Sequence, residues 1–239
     1  MDKKANQYLR GAKLAASLVG LTGLLIAFPA ALFGVWTKWQ IGWLLASYLY
    51  FFSGTVWRGI KYGNLAKRKD DEQVKTPSGR WSLVVFLLGT VSVHWLAIYE
   101  FSQLSKSRDD IAAIAFANFS IIYAITAILL TVSAIAINQV AIAQLGAYFD
   151  RLTVKPEQQL VTWGLYNSVR NPIYLSYILL FVGYCLVLGS LSSLLLLAIT
   201  CIVWFGNRIK IEEEMLERQF GQEYRDYKQK TKRLLPLIY

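Results

Sequence analysis

Two clusters of polar residues interrupt an otherwise apolar chain, and both are of types that bind or orient small charged molecules. The first is Arg170-Asn171-Pro172-Ile173-Tyr174. A proline at the first helical position starts a helix cleanly, because its missing N–H is not needed there. Asn171 can cap such a helix, and the free N–H groups of its first turn can receive a carboxylate or another anion. The second cluster is Arg208 with Glu212, four residues apart and so on one helix face. Leu216, Phe220 and Tyr224 continue that ridge, with Gly221 set to break or kink it. A planar, permanently charged guanidinium suits the holding of a carboxylate. The plain structural alternatives are a capped helix with interfacial Arg and Tyr for the first cluster, and a surface ion pair on a membrane-surface helix for the second.

These clusters flank an apolar run from Ile173 to about Gly206, interrupted near Gly189-Ser190. If both limbs cross a bilayer, the clusters emerge on one side and can face each other. The rest of the chain has the same character. It has 239 residues, is 55% hydrophobic and has a mean hydropathy of +0.39, with the apolar residues gathered in long runs. Runs of roughly 20 apolar residues are the signature of membrane spans. Earlier spans are expected over residues 14–36, 40–57, 81–101 and 111–145. The predicted fold is all-α integral membrane, with about six transmembrane helices, a C-terminal helical hairpin and an amphipathic cytosolic tail helix. Residues 1–147 would hold the first four spans, and residues 148–239 the loop, hairpin and C-terminal helix that carry the clusters. The first run is too long for a signal-peptide core, and Phe28 and Pro29 spoil a cleavage site. An uncleaved span is expected. Pro29 is tolerable there, because neighbouring groups re-satisfy the freed carbonyl.

The net charge of +10 does not point to nucleic acid. Lys and Arg lie in the gaps between apolar runs: the N-terminal arm, the Arg58–Arg80 loop, the Asp150–Arg170 segment and the C-terminal tail. The connections at 37–39, 102–110 and 189–190 carry few. That alternation places both termini and both clusters in the cytoplasm, with anionic lipid head groups as natural contacts. Cys185 and Cys201 fall at different depths in the hairpin, so free thiols are expected, not a disulfide or a metal site. No Gly-rich phosphate loop is present. His94, the single histidine, lies mid-span and is expected to be a neutral ring bonded to a neighbouring helix. Asn118 and Ser120 are expected to make interhelical hydrogen bonds.

The stretch Leu160–Tyr239 resembles the isoprenylcysteine carboxyl methyltransferase family and its phospholipid-methyltransferase-like relatives. The resemblance rests on Gly164-Leu165-Tyr166, Arg170-Asn171-Pro172-Ile173-Tyr174, Arg208-Ile209-Lys210-Ile211-Glu212-Glu213, and Phe220-Gly221-Gln222-Glu223-Tyr224-Arg225-Asp226-Tyr227, in order around a hairpin. It covers about a third of the chain. The resemblance implies a cytosolic site for S-adenosyl-L-methionine, contacted by Leu160, Val161, Tyr166, Asn171, Pro172, Tyr174 and Glu212. Arg208 would orient a lipid or lipidated substrate entering from the bilayer. One departure is Asn171, where the family has histidine. Asparagine can hydrogen-bond but cannot carry a proton at neutral pH. Another is Ser176, where many members have glycine.

A carboxylate substrate, with a pKa of about 4, is ionised at neutral pH and needs no general base. An amine would need one, and no convincing base is seen, so a carboxylate is the favoured acceptor. Two alternatives stay open beside carboxyl methylation: phospholipid amine N-methylation, and an NADPH-dependent reduction of the sterol-reductase kind. Sterol reductases share a related Arg-His-Pro-Asn-Tyr element and a tail resembling Lys232–Tyr239. A non-enzymatic membrane protein that retains the hairpin is a third alternative.

Overall fold

The computed structural model describes residues 3–62, 76–106, 112–148 and 159–234, with side chains for all of these except 3–6 and 112–120. Asn118, Ser120 and much of the two charged loops therefore lie outside the described side chains. The described chain is helical: α1 (Lys3–Thr22), α2 (Phe28–Leu32), α3 (Trp39–Tyr62), α4 (Pro77–Lys106), α5 (Ala112–Leu145), α6 (Pro172–Leu188), α7 (Leu191–Phe220) and α8 (Gln222–Lys230). A π-helical turn over Gly23–Ala27 joins α1 to α2, and the N–H of Phe28 reaches back to the carbonyl of Gly23. This wider turn directly precedes Pro29, whose nitrogen cannot donate, so the run crosses the proline without ending.

Among the described residues four stretches are long and apolar enough to cross a membrane: Gln7–Leu32, Pro77–Lys106, Ile121–Tyr148 and Leu191–Phe220. Together with their lipid-ready apolar surface they make this an integral membrane protein. Helix α3 has 24 residues but is rich in Trp and Tyr, which lowers its hydropathy; α6 has only 17. Helix α6 is largely buried in the bundle, and α3 turns one face to it. Tyr48, Phe51 and Phe52 of α3 share one core cluster with Leu180, Phe181 and Tyr184 of α6.

Helix α6 packs most extensively on α5, and α7 on α4. A Cβ at Gly183 would stand 3.0 Å from the carbonyl of Ala127, so glycine permits the close α5–α6 approach. Phe86 stacks on Trp204 at 4.5 Å between α4 and α7, and Asn207 donates to the Ser82 hydroxyl at 2.9 Å. At the core centre His94 Nδ1 lies 2.6 Å from the carbonyl of Thr90, which can only accept. Its Nε2 then accepts from the Tyr48 hydroxyl at 2.6 Å, and Tyr184 donates to the carbonyl of His94 at 3.0 Å. The expected bond of the His94 ring to a neighbouring helix is made by Tyr48 of α3, while Tyr184 of α6 bonds its main chain. The two cysteines are free.

The hairpin turns where expected. Gly189 closes α6 with φ of 69°, and Ser190 caps α7 by accepting from the N–H of Ser193 at 3.2 Å. Three details differ from the sequence expectation. The charged stretch after Gly206 is not a separate surface helix but the continuation of α7 through Arg208, Glu212 and Phe220, which Gly221, with φ of 56°, ends as expected. Tyr224 therefore leaves the ridge and sits on α8. Arg58, expected in a polar loop, is a 1% exposed residue in the last turns of α3. Its guanidinium donates to the carbonyls of Gly146 and Ala147 at 3.4 and 3.5 Å, beyond the end of α5.

Candidate functional site

The two predicted clusters meet at the open end of the hairpin. Tyr174 stands in the first turn of α6, and Arg208 and Glu212 lie one turn apart on α7. The Nε of Arg208 donates to the Tyr174 hydroxyl at 3.0 Å, and that hydroxyl donates to Oε2 of Glu212. The guanidinium also lies over the rings of Trp204 and Tyr174, at 5.6 and 6.0 Å. These aromatic faces restrict where the fork can turn and favour its charge. A cation, a phenol and a carboxylate thus form one chain of charge-assisted hydrogen bonds, each stronger than a neutral bond.

A second polar layer lies beside it. Glu213, 5% exposed, accepts from Arg170 Nε at 3.0 Å and pairs with Arg233 Nη2 at 2.9 Å. The other side of Arg170 donates to the carbonyls of Lys228, at 3.1 Å, and Thr231. Main-chain bonds complete the attachment: Arg170 N–H to the carbonyl of Lys232 at 2.8 Å, and Lys232 N–H to that of Ser168 at 3.3 Å. Residues 227–233 are therefore strapped across the start of α6. Asn171 takes part in this strap. It occupies the N-cap position but makes no side-chain cap bond; its amide donates instead to the carbonyl of Arg233 at 2.9 Å. The predicted capping role is corrected by this placement, while Pro172 opens α6 as expected.

The third part is an apolar wall. Val161 and Tyr166 are buried against Ala141, with Leu165 and Ile173 packed on them. Leu160, next in the chain, is half-buried. Gly164, with φ of 64°, brings its backbone against Gln144, which accepts from the N–H of Leu165 at 3.0 Å. Tyr227 of α8 donates to the carbonyl of Tyr166 at 2.6 Å. Burial pushes the Tyr227 phenol up to about 12, against the lowering effects of Arg170 and Thr231. Burial likewise pushes Tyr166 well up, with the charge of Glu212 adding to it. Both phenols therefore stay protonated at neutral pH. Deeper in the α5–α6 seam Asn138 donates to Ser176 at 3.0 Å, while its own Oδ1 is buried without a hydrogen-bond partner.

The structure brings Tyr174, Arg208 and Glu212 into direct contact, and gathers Leu160, Val161, Tyr166, Asn171 and Pro172 around the same end of α6. It adds Gln144, and it gives partners to Arg170, Glu213 and Arg233, which the sequence places in motifs without a role. The signal for Glu213 was its place in a run of three glutamates, where nothing in the spacing says which one faces inward. Among the described residues there is no group of His, Cys, Asp or Glu that could hold a metal ion.

Residues 116–223 match the family model described as phospholipid methyltransferase. The chain is 33% identical over 101 residues to the protein-S-isoprenylcysteine O-methyltransferase of Schizosaccharomyces pombe, covering 41% of this chain and 43% of that protein. It is 33% identical over 107 residues to the probable protein-S-isoprenylcysteine O-methyltransferase of Oryza sativa subsp. indica, covering 43% of this chain and 55% of that protein. It is also 42% identical over 72 residues to methanethiol S-methyltransferase 1 of Bradyrhizobium diazoefficiens, covering 30% of this chain and 24% of that protein. The chain thus spans about half the length of the isoprenylcysteine relatives it matches. The resemblance drawn from the motifs is borne out over residues 116–223, which hold Tyr174, Arg208 and Glu212.

Proposed function

We propose, from the match of residues 116–223 to the phospholipid methyltransferase model and the similarity to isoprenylcysteine O-methyltransferases, that this protein is a membrane methyltransferase. It uses S-adenosyl-L-methionine and acts on a lipid-embedded or prenylated carboxylate. The observation that carries this reading is the Arg208–Tyr174–Glu212 chain, which joins two motifs 38 residues apart at one end of the hairpin.

The donor set fits the cofactor. The wall of Leu160, Val161 and Tyr166 offers an apolar surface for a purine. Asn171 and Pro172 shape the start of α6 beside it. Glu212 and Tyr174 offer an acceptor and a phenol for ribose hydroxyls or an ammonium. The buried Oδ1 of Asn138 is a further polar atom in the same seam that lacks a partner. When bound, the cofactor supplies an electrophilic methyl group. Arg208 would hold the substrate carboxylate, its fork steadied by Trp204 and Tyr174. The carboxylate is already ionised at neutral pH, so orientation and exclusion of water are what the residues must provide. His94, the one histidine, lies in the core and is not available as a base. In this reading the bundle has six spans, and the alternation of Lys- and Arg-rich with Lys- and Arg-poor connections along the sequence puts the site on the cytoplasmic side.

Calorimetry of the solubilised protein tests the cofactor: S-adenosylhomocysteine should bind and NADPH should not, and the reverse would make the protein a reductase. Glu212→Gln should weaken S-adenosylhomocysteine binding by about 1.5–3 kcal/mol, the range for a hydrogen bond to a charged group. Arg208→Lys should leave that affinity nearly unchanged and cut methyl transfer, because an ammonium cannot reproduce the fork. Wild-type values for both variants would return the pair to a merely structural role. The phospholipid methyltransferase match favours one second reading, methylation of a phospholipid amine; transfer of label to phosphatidylethanolamine but not to a prenylcysteine would establish it.

A further inference from the structure

We propose that the strap over the start of α6 forms a binding site for the head group of an anionic phospholipid. A concavity there is lined by Arg170 and by residues 228–233. Its wall contributes five cations, Arg170, Lys228, Lys230, Lys232 and Arg233, and no carboxylate. Two acids just outside it answer part of that charge. Glu213 binds both Arg170 and Arg233, and Glu217 binds Lys228 at 3.1 Å while also facing Arg225. The surplus is positive, and it is concentrated at Lys230 and Lys232, which are exposed.

The concavity is built, not a loose run of lysines. The backbone of Lys232 is pinned on both sides, to Ser168 and Arg170, and pairs with Val169 in a short parallel bridge. Thr231 is 6% exposed and bonds back to the carbonyl of Tyr227 at 2.8 Å. Its height relative to a membrane follows from the chain. Arg170 lies two residues before Pro172, where the apolar helix α6 begins, so this cradle sits where head groups meet hydrocarbon. Trp163, 52% exposed on the adjoining segment, is the kind of residue that settles at that depth. Fixed cations at head-group level attract anionic lipid, each adding to the attraction. The site is separate from the Tyr174–Arg208–Glu212 chain and does not depend on the methyltransferase reading.

The test uses the full-length protein in detergent micelles and native mass spectrometry. Phosphatidylglycerol, phosphatidylcholine and inorganic phosphate are titrated separately into wild type and a Lys230→Gln/Lys232→Gln variant. Wild type should bind phosphatidylglycerol in preference to phosphatidylcholine, and the variant should bind it roughly thirtyfold more weakly, with phosphatidylcholine unchanged. Equal phosphatidylglycerol affinity in wild type and variant would overturn the site. Inorganic phosphate binding as tightly as the lipid would overturn the lipid assignment in favour of a free anion. If the double variant loses its native circular dichroism, Lys230→Gln alone carries the same comparison, with about fivefold weakening expected.

Discussion

Tyr174 is the joint between the two motifs. Its hydroxyl accepts from Arg208 and donates to Glu212, so removing that one oxygen deprives two charged groups of a partner at once. Tyr174→Phe should therefore weaken S-adenosylhomocysteine binding by about 1.5–3 kcal/mol, the range for hydrogen bonds to charged groups, with circular dichroism unchanged. An unaltered affinity would show that the phenol does not order the site. Asn171 makes a different prediction. Its amide donates to the carbonyl of Arg233. Asn171→His can still donate there and should keep the strap closed. Asn171→Asp sets a carboxylate against a carbonyl and should open it, seen as faster proteolysis after residue 220 in the aspartate variant alone. The glutamate run shows where residue-level reading stops. Successive helical residues point about 100° apart. Glu212 meets Tyr174, Glu213 turns to Arg170 and Arg233, and Glu214 is exposed. The motif identified Glu212; the inward turn of Glu213 depends on Arg170, 43 residues before it, and on Arg233, 20 residues after it.

The elements were legible where a backbone signal stands in the chain. Gly189-Ser190 specifies a left-handed cap followed by a side-chain cap, and the hairpin turns there. Pro172 specifies a helix start. A change of polarity, by contrast, is not a stop signal. Helix α7 passes from apolar to charged residues without interruption, because nothing before Gly221 disturbs its backbone. It thereby carries Arg208 and Glu212 on the same rigid rod as the last span. The short 3-10 turn at Gly164–Asn167 is the weaker support, and it rests on one glycine. At φ of 64° an L side chain is strained, and a Cβ would fall 1.9 Å from the Gln144 amide nitrogen. Gly164→Ala should lower stability by at least about 1–2 kcal/mol through the left-handed backbone alone, and should loosen Tyr166 and the wall beside it. A reduced apparent melting temperature together with weaker cofactor binding is the expected pair of results. Unchanged values for both would show that the turn does not hold the wall.

At the scale of the whole molecule, the strap, α8 and the start of α6 all gather at the end of the hairpin opposite Gly189-Ser190, and orientation decides which compartment that end meets. Helix α4 has 30 residues, a length of about 45 Å at 1.5 Å per residue. That exceeds the roughly 30 Å of a bilayer's hydrocarbon core, so its two ends must lie on opposite sides if it stands across the membrane. Residue 67 precedes α4 in a Lys-rich connection outside the described residues, and Lys106 ends the helix. Asp226 is exposed on α8, on the strap side of the hairpin. In a background with Cys185 and Cys201 replaced by alanine, single cysteines at 67, 106 and 226 can be labelled in intact cells and in permeabilised ones with a membrane-impermeant maleimide. Six spans with a cytoplasmic site require that 67 and 226 react only after permeabilisation and that 106 reacts in intact cells. Labelling of 67 and 106 from the same side would remove α4 as a span. Labelling of 226 in intact cells would place the strap outside, leaving its lysines to face the outer leaflet and the cofactor no cytoplasmic route to Glu212.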